Sequence, residues 1–524
     1  MCAHICKRGK KMRRRDLVKS AAVASAGVVA GLGALPQSSR GAATAGSDRL
    51  GAWSSGLSPW PLIPIHAVLL GDGRLLTYGT DGGGRQTRYF IYDVWDPRAG
   101  LRPEAHMTLP NNTQVDMFCN AQIVLPQSGN VLLAGGDNWT GTSTTNSGNN
   151  NSNMFYPGVN TLARDGTSMN RQRWYASPTT LSDGRIYIQG GTGGTDYPEV
   201  RGLNGTYRLL TGVNTSSVYF FYPRNRVAPN GLMFGYSDLN MYYVDPNADG
   251  GNGSFTPAGT MPSDGPSGTT STDVMYAPGK ILRCGGGSNA TPEQGGSTTP
   301  AKNAAAVIDI NGATPIYKKM PSMPLNLHWA NATVIADGDV VVTGGSAMPN
   351  ELTGMNTSAL LWKANTGKWT QGAQSAPGIA RLYHSIAMLL PDGSVLCGGG
   401  GAPGPQTNTN VQIYYPPYLF TTSGAFAPRP RITSSPVLVP YGQNFPVGVD
   451  PVTVVQRVTF VKTGSVTHSV DFEQRFMELP FTPAPGGVQV QAPSRAALAP
   501  PGNYLLFVIN NQGVPSEAKI VQIG

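Results

Sequence analysis

One pattern of apolar and polar positions recurs along the chain. Each copy has an apolar strand, a tight turn containing glycine, a second apolar strand and a stop of small residues, as in "AVLLGDGRLLTYG" (67–79) and "AMLLPDGSVLCGGG" (387–400). Two apolar runs joined by such a turn indicate a β-hairpin. There are seven copies, and their turn glycines are Gly73, Gly129, Gly184, Gly231, Gly279, Gly338 and Gly393.

The spacing of these copies predicts the fold. The turn glycines follow one another at intervals of about fifty residues, and further short strands such as "YFIYDVWDP" (89–97) and "ALLWKANTGKW" (359–369) lie between them. About four strands per unit at this period are typical of a kelch-type propeller blade. The pattern therefore predicts an all-β protein with a seven-bladed kelch-type β-propeller over residues 46–420. A non-periodic β-sandwich is the alternative, which seven turns at one spacing disfavour.

The repeat stops after residue 420, and a different pattern follows. A proline-rich entry leads into alternating strands at "VTFVKTGSVTHSV" (458–470), "GVQVQAPS" (487–494) and "YLLFVIN" (504–510). Short alternating strands of this kind are typical of a β-sandwich. We therefore expect a smaller, immunoglobulin-like domain over residues 427–524.

Composition supports the all-β interpretation, and the charge distribution narrows the function. Only 13% of the 524 residues are charged, whereas glycine (67) and proline (43) are abundant, which suits a protein rich in turns. The net charge of +9 is concentrated at the start of the chain: residues 1–45 hold nine of the 38 basic residues and one of the 29 acidic ones. The remainder is nearly neutral and gives no reason to expect a nucleic-acid partner.

The first 45 residues have the features of an export signal. "RRRDLVK" (13–19) precedes the small and apolar run "AAVASAGVVAGLGAL" (21–35), and "ATA" (43–45) offers a cleavage site. Paired arginines ahead of an apolar run are typical of the twin-arginine route. This pattern predicts an exported protein of bacterial origin, secreted or associated with the cell surface. An uncleaved membrane anchor is the alternative.

The cysteines and acidic pairs allow only limited conclusions. Cys119, Cys284 and Cys397 lie beyond the leader, and an odd number in an exported protein leaves at least one outside any intrachain disulfide. We interpret Cys284 and Cys397 as buried thiols. Asp471 and Glu473 form an acidic pair in the C-terminal domain and are predicted to be solvated.

Five histidines lie outside the leader, and a single histidine is more often structural than a ligand. They are His66, His106, His328, His384 and His468. The chain has no HExxH motif, no cysteine pair with zinc spacing and no calcium loop. In "RLYHSIAMLLPDG" (381–393), Tyr383 and His384 could be two buried strand residues or two metal ligands, and this segment alone does not decide between them.

Four segments, taken together and in order, resemble the galactose oxidase and glyoxal oxidase family, the copper-radical oxidases. "VDMFCNAQ" (115–122) is similar to the family's cross-linked cysteine segment, and "RQRWYASPTTLSDGR" (171–185) to its cross-linked tyrosine segment. "RLYHSIAMLLPDG" is similar to the segment of the axial tyrosine and first histidine, and "VTHSVDFEQRFMELPF" (466–481) to that of the second histidine. The "RWY" in the second segment is closer to glyoxal oxidases.

The resemblance implies a set of roles. Copper would be bound by Tyr175, Tyr383, His384 and His468, and Cys119 would be joined to the Tyr175 ring by a thioether. A radical on the linked Tyr175–Cys119 pair would take hydrogen from carbon, and Tyr383 would take the hydroxyl proton. The implied reaction oxidises a small aldehyde or primary alcohol with O2 and releases hydrogen peroxide. A monomer is expected.

The chain departs from the family in three respects that concern the substrate. The first repeat begins almost directly after the leader, so we expect the sugar-binding domain of galactose oxidase to be missing; the galactose-binding Tyr-Gln pair is also missing from "GGGSNATPEQGG" (285–296). Gly193 stands where galactose oxidase has a tryptophan stacked on the cross-link. Trp329 and Trp139 are therefore candidates for radical stacking, and packing within a blade is the alternative for both.

A second class of function stays open for the sequence as a whole. A kelch propeller without catalysis could bind a glycan or a protein partner at the cell surface and carry a vestigial site. Copper-dependent oxygen consumption would separate the two hypotheses.

Overall fold

The structure is a computed structural model that describes residues 44–86, 91–294 and 296–524. Apart from its last two residues, the predicted export signal at 1–45 lies outside the described residues. No helix in the described ranges is long and apolar enough to cross a membrane. The described residues fall within one compact unit.

Four-stranded antiparallel units follow one another along residues 63–415, in the order that the turn glycines predict. The first unit consists of Ile63–Leu69, Leu75–Thr80, Ile91–Trp95 and His106–Pro110, and the second of Ala121–Val124, Val131–Ala134, Asn149–Tyr156 and Thr161–Arg173. The third consists of Ala176–Thr180, Ile186–Gly190, Glu199–Arg201 and Tyr207–Leu209, and the fourth of Arg224–Val227, Met233–Ser237, Asn240–Asp245 and Ser254–Thr260. The next two consist of Ser271–Ala277, Lys280–Gly285, Ala305–Asp309 and Ile316–Met320; and Asn331–Val334, Val340–Thr343, Ser358–Trp362 and Trp369–Gln374.

The last unit combines the two ends of the propeller. It contains Ser385–Leu389, Val395–Gly399 and Asn410–Tyr415, and the last of these strands pairs with Ala52–Trp53 and Ser58–Pro59 from the start of the described chain. The register Ala52↔Tyr415 makes this pairing antiparallel. It joins residues more than 350 positions apart and so connects the two ends of the propeller.

The first strand of each unit lies innermost. An inner strand is buried because it packs between the inner strands of the two adjacent units. Ser385–Leu389, for example, is buried at every position and contacts both Asn331–Val334 and Ile63–Leu69. The tight turns that follow depend on glycine: Gly393 has a φ of +81°, which side chains rarely adopt, and donates its N–H to the Leu390 carbonyl. The predicted all-β class, with a propeller followed by a β-sandwich, is confirmed. The number of blades stays a prediction.

The sandwich is built from two layers of mainly antiparallel strands around a core that includes Phe460, Val490 and Tyr504. The pairing of Leu438–Val439 with Lys519–Ile523 is parallel. Its strands are Ile432–Ser434, Leu438–Val439, Asn444–Val449, Val455–Lys462, Ser465–Thr467, Val470–Leu479, Phe481–Ala484, Gly487–Gln491, Gly502–Asn510 and Lys519–Ile523. Helical structure in the described residues is limited to the α-helix Ser47–Leu50 and the 3₁₀ turns Pro97–Ala99, Pro103–Ala105, Asp249–Gly251, Pro292–Gln294 and Pro417–Leu419. A two-stranded ribbon joins Trp139–Thr140 to Ser143–Thr144.

One hairpin of the sandwich, residues 465–479, enters the propeller. We call it the central hairpin. Its first strand pairs with Ile63–Leu69 in the register His66↔Thr467, and its second strand runs parallel to Ser271–Ala277 in the register Asp273↔Val470. The hairpin thus lies between inner strands of two units that are distant in sequence, and it carries His468 at its tip.

The prediction that Asp471 and Glu473 are solvated is wrong, because both lie on the central hairpin and are buried. An Asp471 carboxylate oxygen accepts backbone N–H groups from Ser465, Glu473 and Gln474 at 3.0–3.1 Å. Glu473 forms an ion pair with buried Lys462 and accepts a hydrogen bond from the Thr180 hydroxyl at 3.0 Å. Burial raises the pKa of Asp471 to about 6. These acids anchor the hairpin instead of facing water.

Cys284 and Cys397 are buried free thiols, as the sequence indicated. Burial raises the pKa of Cys397 to about 11, so this thiol stays protonated and behaves as a small apolar side chain.

Candidate metal centre

Left-handed backbone geometry recurs just before the inner strands. Five non-glycine residues one or two positions ahead of an inner strand have positive φ: Cys119 (57°), Tyr175 (74°), Tyr222 (37°), Trp329 (57°) and His384 (66°). Each such conformation costs an L-residue about 1 kcal/mol or more. All five side chains are buried. Strain repeated at equivalent places in different units marks a functional site at the centre of the propeller.

Two more buried residues with left-handed backbones lie at the tip of the central hairpin. His468 and Ser469 have φ of 50° and 63° and connect two antiparallel strands directly. Two consecutive left-handed residues form a type I′ turn, for which Asn-Gly is strongly preferred. The presence of histidine at this turn places a buried imidazole among the propeller residues at an energetic cost.

The five residues that the sequence assigned to the site come together. The Cys119 Sγ atom lies 3.2 Å from His468 Nε2 and 3.7 Å from His384 Nε2. The Tyr175 and Tyr383 hydroxyl oxygens lie 3.3 Å apart. All five side chains are essentially inaccessible to solvent. Residues separated by up to 349 positions therefore share one buried cluster.

The His384 ring is oriented for metal binding. Its Nδ1–H donates to the Gly401 carbonyl at 2.9 Å, which leaves the lone pair on Nε2 directed at the cluster. Burial lowers the pKa of His384 to about 3, so the ring is neutral at ordinary pH. The Thr467 hydroxyl bonds to His468 Nδ1, and burial lowers the pKa of His468 as well. Neutral imidazoles are the form in which histidine binds metals.

The phenols and the thiol depend on a cation to ionise. Burial raises the pKa values of Tyr175, Tyr383 and Cys119 well above their ordinary values. A bound metal ion would favour their anions, so metal binding here would release protons. Two imidazole nitrogens and two phenol oxygens are a suitable donor set for copper(II). The ligand atoms of Cys119, His384 and His468 lie within 4.8 Å of one another, which also fits one ion.

Glu293 is part of the cluster and was missed by the sequence interpretation. The Tyr383 hydroxyl donates to its Oε2 atom at 2.7 Å, and its Oε1 atom lies 3.6 Å from His384 Nε2. Burial raises the pKa of Glu293 to about 7. The available signal was compositional: Glu293 is the only acidic residue between Asp273 and Asp309.

His66 is also part of the site, as a support for Cys119. The Cys119 backbone N–H donates to His66 Nε2 at 3.2 Å. His66 Nδ1–H then donates to the Gln122 side-chain oxygen at 3.0 Å, and the Gln122 amide donates to the Val466 carbonyl at 3.0 Å. This chain of hydrogen bonds connects the central hairpin to the cysteine and holds its left-handed backbone.

The tryptophan that packs on the Tyr175 ring is neither of the two that the sequence suggested for radical stacking. Trp329 packs edge-on against Tyr383, with ring centroids 4.7 Å apart, and Trp139 donates its indole N–H to Asp116. The tryptophan that packs on Tyr175 is Trp174, at 4.2 Å and an interplanar angle of 35°. Among the described ring contacts, neither Trp329 nor Trp139 lies on the Tyr175 ring. The left-handed φ of Tyr175 brings its own sequence neighbour over its ring.

Comparisons with known proteins agree with this geometry. The family described as "Glyoxal oxidase N-terminus" matches residues 99–422, and "Galactose oxidase-like, Early set domain" matches residues 429–523. A galactose oxidase from Gibberella zeae is 28% identical over 517 residues, which cover 92% of this chain and 72% of that protein. An aldehyde oxidase GLOX from Vitis pseudoreticulata is 28% identical over 385 residues, covering 67% and 72%.

A solved structure supports the fold over nearly the whole length. It is a fungal alcohol oxidase of the AA5 family in complex with copper, with a TM-score of 0.79 and 24% identity; the match covers 91% of this chain and all of that one. The family match spans more than half of the chain and includes the buried cluster apart from His468, which the second match contains. The chain therefore belongs to the glyoxal oxidase and galactose oxidase family.

Proposed function

We propose that the protein is an exported copper-radical oxidase that oxidises a small aldehyde or primary alcohol with O2 and releases hydrogen peroxide. The observation that carries the proposal is the buried convergence of two neutral imidazoles, two phenols and one thiol. The names of the relatives, a galactose oxidase and an aldehyde oxidase, support an oxidase of this class. The prediction of a monomer is retained.

The proposed domains follow from the same interpretation. Residues 1–45 would be the export signal, 46–420 the propeller and 427–524 the immunoglobulin-like domain that contributes a copper ligand. Pairing of Ala52–Trp53 with the last unit supports a propeller that begins near the leader. Export would place the enzyme outside the cytoplasm, secreted or at the cell surface.

Four residues would hold the copper: Tyr175, Tyr383, His384 and His468. The chemistry that copper supplies when bound is one-electron redox exchange. Cys119 would be linked by its sulfur to the Tyr175 ring, which makes the phenol easier to oxidise to a radical. The link forms when a thiol S–H and a ring C–H are replaced by one C–S bond; O2 takes up the two electrons and two protons and becomes hydrogen peroxide. Trp174 and Phe221 pack on the Tyr175 ring at 4.2 Å and 4.7 Å and exclude water from it.

The residues divide the oxidation between them. Tyr383 would receive the proton of the substrate hydroxyl at its phenol oxygen, and the Tyr175–Cys119 radical would take a hydrogen atom from the adjacent carbon. For a primary alcohol these two transfers remove two protons and one electron. The one-electron redox exchange that bound copper would supply takes up the second electron, and an aldehyde remains. An aldehyde would react as its hydrate and leave a carboxylic acid. O2 accepts the two electrons and two protons, so one hydrogen peroxide forms for each substrate oxidised.

Oxygen consumption by copper-loaded protein tests the proposal. The apo-protein would be loaded with copper in air and screened in a peroxide-coupled assay against sugars, primary alcohols and small aldehydes. We expect copper-dependent oxygen uptake with one peroxide per O2 for at least one substrate class. If the protein binds copper but consumes no oxygen across the panel, the proposal is contradicted, and the alternative of a propeller that binds a glycan or a protein gains support.

A further inference from the structure

One oxygen atom of the Glu293 carboxylate is left without a partner. Its Oε2 atom accepts the Tyr383 hydroxyl at 2.7 Å. Its Oε1 atom is buried and has no hydrogen-bond partner among the described residues. The Glu293 side chain as a whole is only 10% exposed. A buried, unpaired carboxylate oxygen is costly, because burial removes its hydration without replacement.

A neighbouring imidazole nitrogen makes the cost larger. The Oε1 atom lies 3.6 Å from His384 Nε2. The His384 proton is on Nδ1, where it is donated to the Gly401 carbonyl, so Nε2 presents a lone pair. When the carboxylate is ionised, two lone pairs therefore face each other in a buried environment. A cation between them would turn this repulsion into attraction.

The distances are those of ligands that share one ion. Two donor atoms that each lie about 2.0–2.2 Å from a metal, at angles from about 90° to 180°, are separated by about 2.8–4.4 Å. The separation of 3.6 Å between Glu293 Oε1 and His384 Nε2 lies in this range, as does the 3.3 Å between the Tyr175 and Tyr383 oxygens. Carboxylate oxygen is an accepted donor to divalent metals.

We propose that Glu293 is a fifth ligand of the copper site and binds through Oε1 while Oε2 keeps the hydrogen bond from Tyr383. This inference rests on the proposed function, because it assumes that copper is the bound ion. The carboxylate adds one negative charge to the centre and occupies a position that an external anion would otherwise take.

Copper spectroscopy tests the ligand directly. The parent protein would be compared with Glu293→Gln and Glu293→Ala, and with Glu104→Gln as a control that makes the same charge change at an exposed site. We expect both Glu293 variants to change the g values and copper hyperfine splitting of the Cu(II) EPR spectrum. Competition with a chelator should show a copper dissociation constant at least about tenfold higher. Glu104→Gln should match the parent in both measurements.

Two further readouts keep the test decisive. Removal of the carboxylate in Glu293→Ala should open a position, so azide should bind more tightly to this variant than to the parent. If the variants do not fold, the infrared difference between apo and copper-loaded parent protein labelled with ¹³C-glutamate should show a shifted carboxylate stretch. EPR spectra and copper affinities equal to those of the parent, or an unshifted stretch in the labelled parent, would overturn the proposal. A parent protein that binds no copper would instead contradict the proposed function, and the Glu293 assignment with it.

Discussion

The propeller and the central hairpin contribute to the same site in different ways. Cys119, Tyr175 and His384 lie at equivalent places in their units, just ahead of an inner strand and with left-handed backbones. His468 has no counterpart in the repeat, because a hairpin of the other domain carries it into the propeller. The comparison teaches that a repeat can gather most of the proposed metal centre by periodicity, whereas its last proposed ligand depends on how two domains dock.

The two regions are also held in place by different forces. Backbone hydrogen bonds link the propeller residues across units: the Tyr175 N–H donates to the Cys119 carbonyl at 2.9 Å, and the Tyr222 N–H to the Tyr175 carbonyl at 2.8 Å. The central hairpin also pairs with two inner strands through its backbone, but it is anchored in addition by buried charge, namely Asp471 and the pair Lys462–Glu473. Substitutions can therefore disturb either region separately.

Replacing His468 with alanine should have the largest effect on function. The hairpin would lose its only imidazole donor, and no other described histidine lies at the tip to replace it. We expect copper content to drop sharply and oxidation to slow by at least about a hundredfold, while the thermal unfolding temperature changes little. His106→Gln, outside the cluster, is the control. Parent-like copper affinity in His468→Ala would show that the central hairpin does not complete the site.

Replacing Glu473 with alanine should have the largest effect on stability. The Lys462 ammonium group would remain buried without its partner, a change that commonly costs about 3–5 kcal/mol. Denaturant unfolding of the apo-protein measures this loss. Glu478→Ala on the same strand is the matched control, because Glu478 is 51% exposed and its pair with Arg457 should contribute at most about 1 kcal/mol. Equal losses in the two variants would contradict the anchoring role of Glu473.

Replacing His66 with phenylalanine tests the support beneath Cys119. Phenylalanine keeps a ring against Tyr78, on which His66 stacks at 4.5 Å, but it cannot accept the Cys119 N–H. We expect a loss of about 1–3 kcal/mol and slower formation of the Cys119–Tyr175 link after copper is added in air. Tyr78→Phe, which loses a hydrogen bond to Asn120 instead, should form the link at the parent rate. Equal rates in parent and His66→Phe would limit His66 to a structural role.

The free energy of unfolding of the same variant should also differ from that of the parent in its dependence on pH. Burial lowers the pKa of His66 to about 3, from an ordinary value near 6.5. Between these values the unfolded chain binds a proton that the folded chain does not, so the stability from this group is full above pH 6.5 and is lost as pH falls towards 3. The stability advantage of the apo-parent over His66→Phe should therefore fall by up to about 1.4 kcal/mol per pH unit as pH drops below 6.5, and it should reverse sign within this window. A difference independent of pH would contradict a neutral, buried His66.

Much of the fold and of the site could be predicted from the sequence, because the turn glycines report the period and four ordered segments report the cluster. Glu293 could not, since its 3₁₀ turn lies in a connection without repeat pattern. The prediction that Asp471 and Glu473 face solvent was wrong because their burial depends on docking between the two domains. The alternation of apolar and polar residues along one strand carries no information about that docking. Trp174 was missed for a local reason: it packs on its own sequence neighbour Tyr175, which has a left-handed φ, and no residue pattern in the sequence indicates this conformation.

The Cys119–Tyr175 link is the most direct test of the central claim, that the buried cluster is a copper-radical centre. Apo-protein would be treated with copper in air, digested, and analysed by intact and peptide mass spectrometry. The account predicts an intact mass lower by about two hydrogens and a joined peptide pair containing Cys119 and Tyr175, neither of which should appear in Cys119→Ser. Unlinked Cys119 and Tyr175 peptides from copper-loaded, aerated parent protein would contradict it.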